Sequence, residues 1–277
     1  MKFKVIFLLF NLIILFSLLS VLFLPVFLQD WDFMRLFWTS NVPLAVLSAV
    51  LFLVFFALVN GYFLRYRRLY EYLENEDWEG VLSHLYFLLF ERKKLRSSYI
   101  RIYIHTSVVQ AQPQRIVELE QMLREQNASV RLRFSLELGL PSILANNHAG
   151  MQEYYGRLRE EVSGKQQPWL LWLYAFSLFL QGQVNTAATH FEHLLKTQSD
   201  VVLLILVLYA YAPCIRRQQA AEYSAIQEKR RQIREKYSLN QLRARVERKS
   251  GNIVLLVLDR FVQDAVEWIY SEETAND

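Results

Sequence analysis

The chain has 277 residues, 53% of them hydrophobic, 14% aromatic and 21% charged, with only 8 Gly, 6 Pro and 1 Cys. That length allows one or two domains. Low Gly and Pro argue against a disordered, collagen-like or turn-rich all-β chain, and a lone cysteine, Cys214, excludes an internal disulfide or a Cys-based zinc cluster. The net charge of +4 does not by itself suggest a nucleic-acid binder, and a mean hydropathy of +0.11 is what an average over two unlike parts would give.

Those parts meet at Leu64/Arg65. Residues 1–64 carry five formal charges, Lys2, Lys4, Asp30, Asp32 and Arg35, and residues 65–277 carry the rest. Residues 5–28 form a run of 24 without a charge. As a helix it would be about 36 Å long, enough for a hydrocarbon core of about 30 Å. Residues 43–64 form a second uncharged run of 22. The first run is too long for the apolar part of a signal peptide, and no small-x-small cleavage site follows it. Two transmembrane helices are therefore expected, over about 5–28 and 43–64. The loop between them holds Trp31 and Trp38, residues suited to a membrane interface. Lys2 and Lys4 precede the first helix, and Arg65, Arg67 and Arg68 follow the second. By the positive-inside rule both termini are cytoplasmic and the loop is outside. Neither run contains an Asp, Glu, Lys, Arg or His, so no ion path is evident. Asn11, Ser17, Ser20, Ser48 and Asn60 are candidates to join the helices or to meet a membrane partner.

The remaining chain repeats with a period near 35. One column reads Val81, Ile116, Met151, Ala187; a second, four residues on, reads Leu85, Glu120, Tyr155, Phe191; a third, seven on, reads Leu88, Leu123, Leu158, Leu194. Offsets of 0, +4 and +7 mark one face of a helix. Each such helix follows another helical stretch across a short polar turn: 75–77, 111–113, 146–148 and 181–183. Pro113 and Pro168 stand where helices would begin, which a first-turn proline tolerates. Glu120 breaks the apolar pattern and makes the second repeat the weakest. Pro141 should distort the first helix of the third. The bland alternative is a non-repetitive helical bundle.

At residues 168–200 the pattern resembles the tetratricopeptide repeat family. The family's small residue in the first helix matches Ala175, its turn glycine Gly182, its second small residue Ala187 and its large aromatic Phe191. Residues 65–96 match next, through Asp77, Trp78, Val81 and Leu85; in the third repeat Gly139 stands at the small position. The resemblance covers about 65–200. It implies an all-α chain in which stacked helix-turn-helix units form an α-solenoid behind the two membrane helices. It also implies that first-helix residues line a concave surface for proteins or peptides. The positions here are Tyr66, Tyr70, Arg101, His105, Arg133, Trp169, Trp172 and Phe176, although the apolar stretch 169–180 can equally be core. The two-span-plus-repeats layout is similar to HemY-type proteins associated with haem biosynthesis in bacteria.

After Asp200, residues 201–211 are strongly apolar but too few to cross a bilayer before Pro213, Arg216 and Arg217. A fifth helical hairpin is expected there, with its second helix over 218–237. A capping helix over 252–270 then closes the open end of the array, so that the anchor (1–64) is followed by four repeats (65–200) and by the fifth hairpin with its cap (201–277). The tail 271–277 is polar.

Chemistry-bearing motifs are sparse. There is no Gly-rich phosphate loop, G-x-S-x-G or H-E-x-x-H. His190 and His193 are three apart, but Phe191 and Leu194 take the core positions, which turns both histidines towards solvent with no third ligand. Cys214 reads as a buried thiol. No catalytic residue, metal or cofactor is expected, and the chain reads as a non-enzyme. Residues 216–249 carry eleven Lys/Arg against four Glu, including Arg216, Arg217, Lys229, Arg230, Arg231 and Arg234. That run is either a solvated face or a contact for anionic headgroups or an acidic partner; without interleaved aromatics, nucleic acid is disfavoured. The expectation is a membrane-anchored scaffold or adaptor binding other proteins at the cytoplasmic face of an inner membrane. The alternatives are a non-catalytic subunit of a transport, secretion or envelope-synthesis complex whose hairpin makes the key contacts, and an enzyme with a helical fold.

Overall fold

The computed structural model describes residues 3–27, 42–215, 220–249 and 253–271. The loop residues Trp31 and Trp38 and the basic pair Arg216 and Arg217 lie outside them. The described residues are helical with no strands. They divide into two compact units, Met1–Lys94 and Leu95–Asp277.

In the first unit, α1 is Phe3–Phe27 and α2 is Val42–Glu74. Phe7 and Phe10, early in α1, lie 5.2 Å and 5.9 Å from Phe63 of α2, ring centre to ring centre. Many of the apolar side chains of both helices are exposed; Leu8, Phe16 and Leu58 are 70%, 71% and 68% open. Among the described residues one stretch, Val50–Glu74, is long and apolar enough to cross a membrane; in α1 the described apolar stretch is the shorter Val5–Ser17. Four of the five residues expected to link the helices bond locally, and the side chain of Ser48 lies outside the described residues. Asn11, Ser17, Ser20 and Asn60 each donate to the carbonyl four residues back in their own helix.

The Leu64/Arg65 boundary is not a structural one. Helix α2 runs straight through it for 33 residues, about 50 Å. Residues 65–74 contain no Gly or Pro, Arg67 pairs with Glu71 at 3.1 Å, and Leu69 is buried. The charge pattern changes there, but nothing in the backbone chemistry stops the helix. It stops at Glu76, which takes a left-handed φ of 53°.

That left-handed residue recurs: Glu76, Ala111, Asn146 and Gly182 all have φ between 50° and 76°. Their spacings are those of the hydrophobic columns. Behind each, the next amide donates to the carbonyl five residues back: Asp77 to Tyr72, Gln112 to Ser107, Asn147 to Ser142 and Gln183 to Leu178, at 2.8–2.9 Å. This is the Schellman ending of a helix, repeated in phase. Only the fourth copy uses glycine, so the other three carry the Cβ penalty of the left-handed region. Asp77 and Asn147 then cap the following helix by accepting from the amides of Gly80 and Gly150.

The first hairpin pairs the end of α2 with α3 (Trp78–Tyr86), which passes into a π turn over Phe87–Glu91. The extra residue of that turn shifts the buried slot by one. Leu89 is fully buried and Leu88 only half, which corrects the expected third column.

In the second unit, α4 (Ser97–Val109) pairs with α5 (Gln114–Gln126). The third repeat's first helix is broken into α6 (Ala128–Arg133), α7 (Ser135–Leu138) and α8 (Leu140–Leu144), with Pro141 in the first turn of α8. Its second helix is α9 (His148–Glu161). The fourth pair is α10 (Gln167–Leu180) and α11 (Val184–Thr197); the fifth is α12 (Val201–Ile215) and α13 (Ala220–Lys236). Successive helices pack from α9 through α13, a repeat-like arrangement. Ala175, Ala187 and Phe191 are fully buried. At Gly139 a Cβ would meet the Tyr155 hydroxyl at 2.3 Å, so the small residue makes room for a buried tyrosine.

Glu120, the exception in its column, is buried. Its carboxylate receives Arg124 at 2.8 Å and Arg131 at 3.6 Å, and Arg131 also contacts Glu161. An ionic cluster linking α5, α6 and α9 thus replaces an apolar side chain. Such a cluster is strongly destabilised when one partner is removed.

The C-terminal segment departs from the expected single cap. An additional helix, α14 (Leu239–Lys249), follows α13. The cap is divided at Leu258 into α15 (Ile253–Val257) and α16 (Asp259–Tyr270). Helix α15 contacts α7, and α16 contacts α12, α13 and α14.

Because the turn geometry is shared, it can be tested one residue at a time. Ala111→Gly is expected to stabilise the chain by about 0.5–1 kcal/mol, and Gly182→Ala to destabilise it by about 1 kcal/mol. Thermal unfolding of the detergent-purified protein measures both; a destabilising Ala111→Gly would contradict the left-handed turn.

Candidate functional site

The residues expected on the first-helix face separate into three groups. Tyr66 and Tyr70 belong to the first unit. With Tyr62 they form an aromatic ladder along α2, at centroid distances of 4.7 Å and 6.4 Å, and both are half-buried.

Trp172 and Phe176 are not available to a partner, which corrects their assignment as binding residues. Trp172 is fully buried and Phe176 nearly so. Their rings stack at 5.1 Å with only 9° between planes. Phe261 of α16 closes over them, 5.9 Å from Trp172 and 4.8 Å from Phe176, and Tyr209 of α12 completes the cluster at 5.1 Å from Phe261. The chain's own C-terminal helix therefore covers this part of the first-helix face. Trp169 stays half-buried at the edge, with Lys249 of α14 5.7 Å above its ring. Lys249 also pairs with Asp200.

Arg101, His105 and Arg133 form the third group, and this part of the face is open. Arg101 and Arg133 are exposed and His105 is half-buried. Arg133 donates to the Ser97 hydroxyl at 3.1 Å, and Gln166 donates to the Arg133 carbonyl at 2.8 Å. Burial lowers the pKa of His105, and the charge of Arg101 lowers it further. Glu137 joins them: burial raises its pKa, against a backbone hydrogen bond and the charge of Arg101. Sequence reasoning missed Glu137. The signal was present, because Arg101 and Glu137 are one repeat apart, as are Ser97 and Arg133. The result is a polar surface with two open guanidinium groups beside a carboxyl whose burial favours its protonated form.

The basic run resolves unevenly. Arg230 is buried, which corrects its assignment to a basic surface. Its Nε donates to the Ile269 carbonyl at 3.1 Å and its Nη2 to the Ser271 hydroxyl at 2.9 Å, while the guanidinium lies 4.7 Å over the Trp268 ring. It caps the end of α16. Arg231 is exposed and pairs with Glu228 at 2.7 Å. Lys229 and Arg234 are exposed.

The remaining titratable candidates have local roles. Cys214 is buried, its thiol donates to the Ala210 carbonyl, and burial pushes its pKa up to about 11. It is protonated at neutral pH and a poor nucleophile. His190 packs edge-on against Tyr174 at 5.3 Å, and burial, Arg159 and His193 lower its pKa. His193 is exposed. No group of three or more His, Cys, Asp or Glu among the described residues is placed to hold a metal ion.

Fold and surface define an all-helical, repeat-like protein with an exposed apolar helix. A family described as "Uncharacterised Treponema protein" matches residues 115–271, more than half of the chain, and the chain belongs to that family. The matched region runs from α5 to the end of α16, so repeats and C-terminal segment are matched together. A Treponema pallidum (strain Nichols) protein, described as an uncharacterized protein, is 23% identical over 232 residues, covering 80% of this chain and 74% of that protein. No solved structure matches the chain.

Two neighbouring arginines separate the structural from the surface reading of the basic run. Arg230→Ala removes the α16 cap and should cost about 3 kcal/mol. Arg231→Ala removes only exposed pairs, with Glu228 and Glu235, and should leave stability unchanged. Thermal unfolding of the two variants decides, and equal effects would contradict the assignment.

Proposed function

We propose that the protein is a membrane-anchored, tetratricopeptide-like scaffold or adaptor that holds other proteins or peptides at the cytoplasmic face of an inner membrane. In this reading α1 and the apolar part of α2 are two spans of a hairpin with both termini cytoplasmic. The reading rests chiefly on one observation: a helix-ending turn recurs four times in phase with three hydrophobic columns, in a chain that also carries helices with exposed apolar side chains. Exposed apolar surface on that scale marks a membrane or an interaction site. Repeat arrays present extended surfaces rather than reaction chemistry. The contact region is the uncovered part of the first-helix face, at Arg101, His105 and Arg133, where two open arginines favour a partner segment bearing carboxylates. The function is non-catalytic and uses no cofactor.

Photo-crosslinking in intact membranes tests this. A crosslinker at Arg101 or His105 of the full-length chain should give a discrete adduct, while one at Lys196, on the second helix of the fourth repeat, should not. The protein should also resist alkaline carbonate extraction. Release by carbonate would contradict the anchor, and absence of an adduct at both first-helix positions would contradict the scaffold.

A further inference from the structure

The elbow between α13 and α14 is a second built surface, distinct from the first-helix face. Basic side chains here sort by partner. Arg230 is buried in the α16 cap; Arg231 has Glu228 and Glu235; Arg243 has Glu267 at 3.7 Å; Lys249 has Asp200. Lys236, Arg245 and Arg248 have no carboxylate within 4 Å among the described residues. These three line one surface cavity of about 580 Å³, together with Tyr237, Asn240 and Gln241.

The elbow is held in shape. Ser238 and Gln241 bond reciprocally at the start of α14, each side chain meeting the other's amide. The Tyr270 hydroxyl donates to the Tyr237 carbonyl at 2.6 Å. The Tyr237 ring is bracketed by the Arg245 guanidinium at 4.7 Å and the Lys236 ammonium at 5.6 Å. Three cations around one concavity repel each other, and a bound anion relieves that repulsion. Guanidinium forks match phosphate oxygens. The cavity is larger than a lone phosphate requires, and Asn240 and Gln241 supply amides for neighbouring hydroxyls.

We propose that this cavity binds the phosphodiester headgroup of an anionic glycerophospholipid. The proposal rests on the membrane reading above, which brings the chain to a source of such headgroups. Lys236, Arg245 and Arg248 take the phosphate, and the flanking amides take the free hydroxyls of a polyol headgroup such as that of phosphatidylglycerol.

The test uses the full-length chain in nanodiscs of phosphatidylcholine alone or with a third of phosphatidylglycerol. The rate of acylation of Lys236 by an amine-reactive reagent is read by mass spectrometry. Anionic discs should slow Lys236 on the order of tenfold, and an Arg245→Gln/Arg248→Gln variant should lose most of that protection. Equal rates in the two bilayers overturn the proposal. So does undiminished protection in the double variant, which would indicate only general proximity to the surface. Equal protection by millimolar inorganic phosphate in neutral discs would assign the cavity to a free anion. Protection in neutral discs by an acidic peptide would assign it to a protein; either result overturns the headgroup. A chain that fails to elute with the discs contradicts the membrane reading itself, and this proposal with it.

Discussion

The second unit is organised by the contact between its C-terminal segment and the first helices of its repeats. A stack of helical hairpins leaves the face made by its first helices without a partner, and that face must be wetted, bound or covered. Here the half-buried Phe261 lies against Trp172, Phe176 and Tyr209, while α15 reaches α7. Trp172 and Phe176 are buried beneath it, and fully burying one such side chain is worth about 1.5–3 kcal/mol, so the cover completes the core. Arg230 secures the far end of α16 by donating to the Ile269 carbonyl and to Ser271 just beyond it, and by lying over the Trp268 ring. Trp268 in turn sits 5.8 Å from Tyr209, which ties that end back to the aromatic cluster. Away from this cover, Arg101 and Arg133 are exposed and His105 is half-buried.

The repeat itself is held in phase by backbone geometry as much as by side chains. Four left-handed residues end four helices at matching intervals, whatever the side chain. The turn therefore tolerates Glu76, Ala111 and Asn146 where glycine would be less strained. Where a column loses its apolar residue, as at Glu120, an ion pair with Arg131 fills the slot. Where the helix gains a residue, as at the π turn, the buried position moves from Leu88 to Leu89.

Much of this was legible in the sequence. The period of 35, the polar turns and the break at Pro141 follow from hydrophobic spacing and local backbone chemistry, and the structure has helices and turns in those places. Three features were not legible, each for a physical reason. A charge boundary does not end a helix, so α2 runs past Leu64. A basic run does not disclose which cations are buried, so Arg230 reads like Arg231 until α16 is placed beside it. An aromatic-rich first helix reads as a binding face until the segment that covers it is seen, and Phe261 is far along the chain from Phe176. The proximity of Arg101 to Glu137 was recoverable, since the period sets them side by side.

Helix α16 lies on α10 through Phe261. A double-mutant cycle on Trp172→Ala and Phe261→Ala, followed by thermal unfolding of the full-length protein, measures that contact most directly. The rings touch, so a coupling free energy of about 1 kcal/mol or more is predicted. Additive effects of the two substitutions, with no coupling, would contradict it.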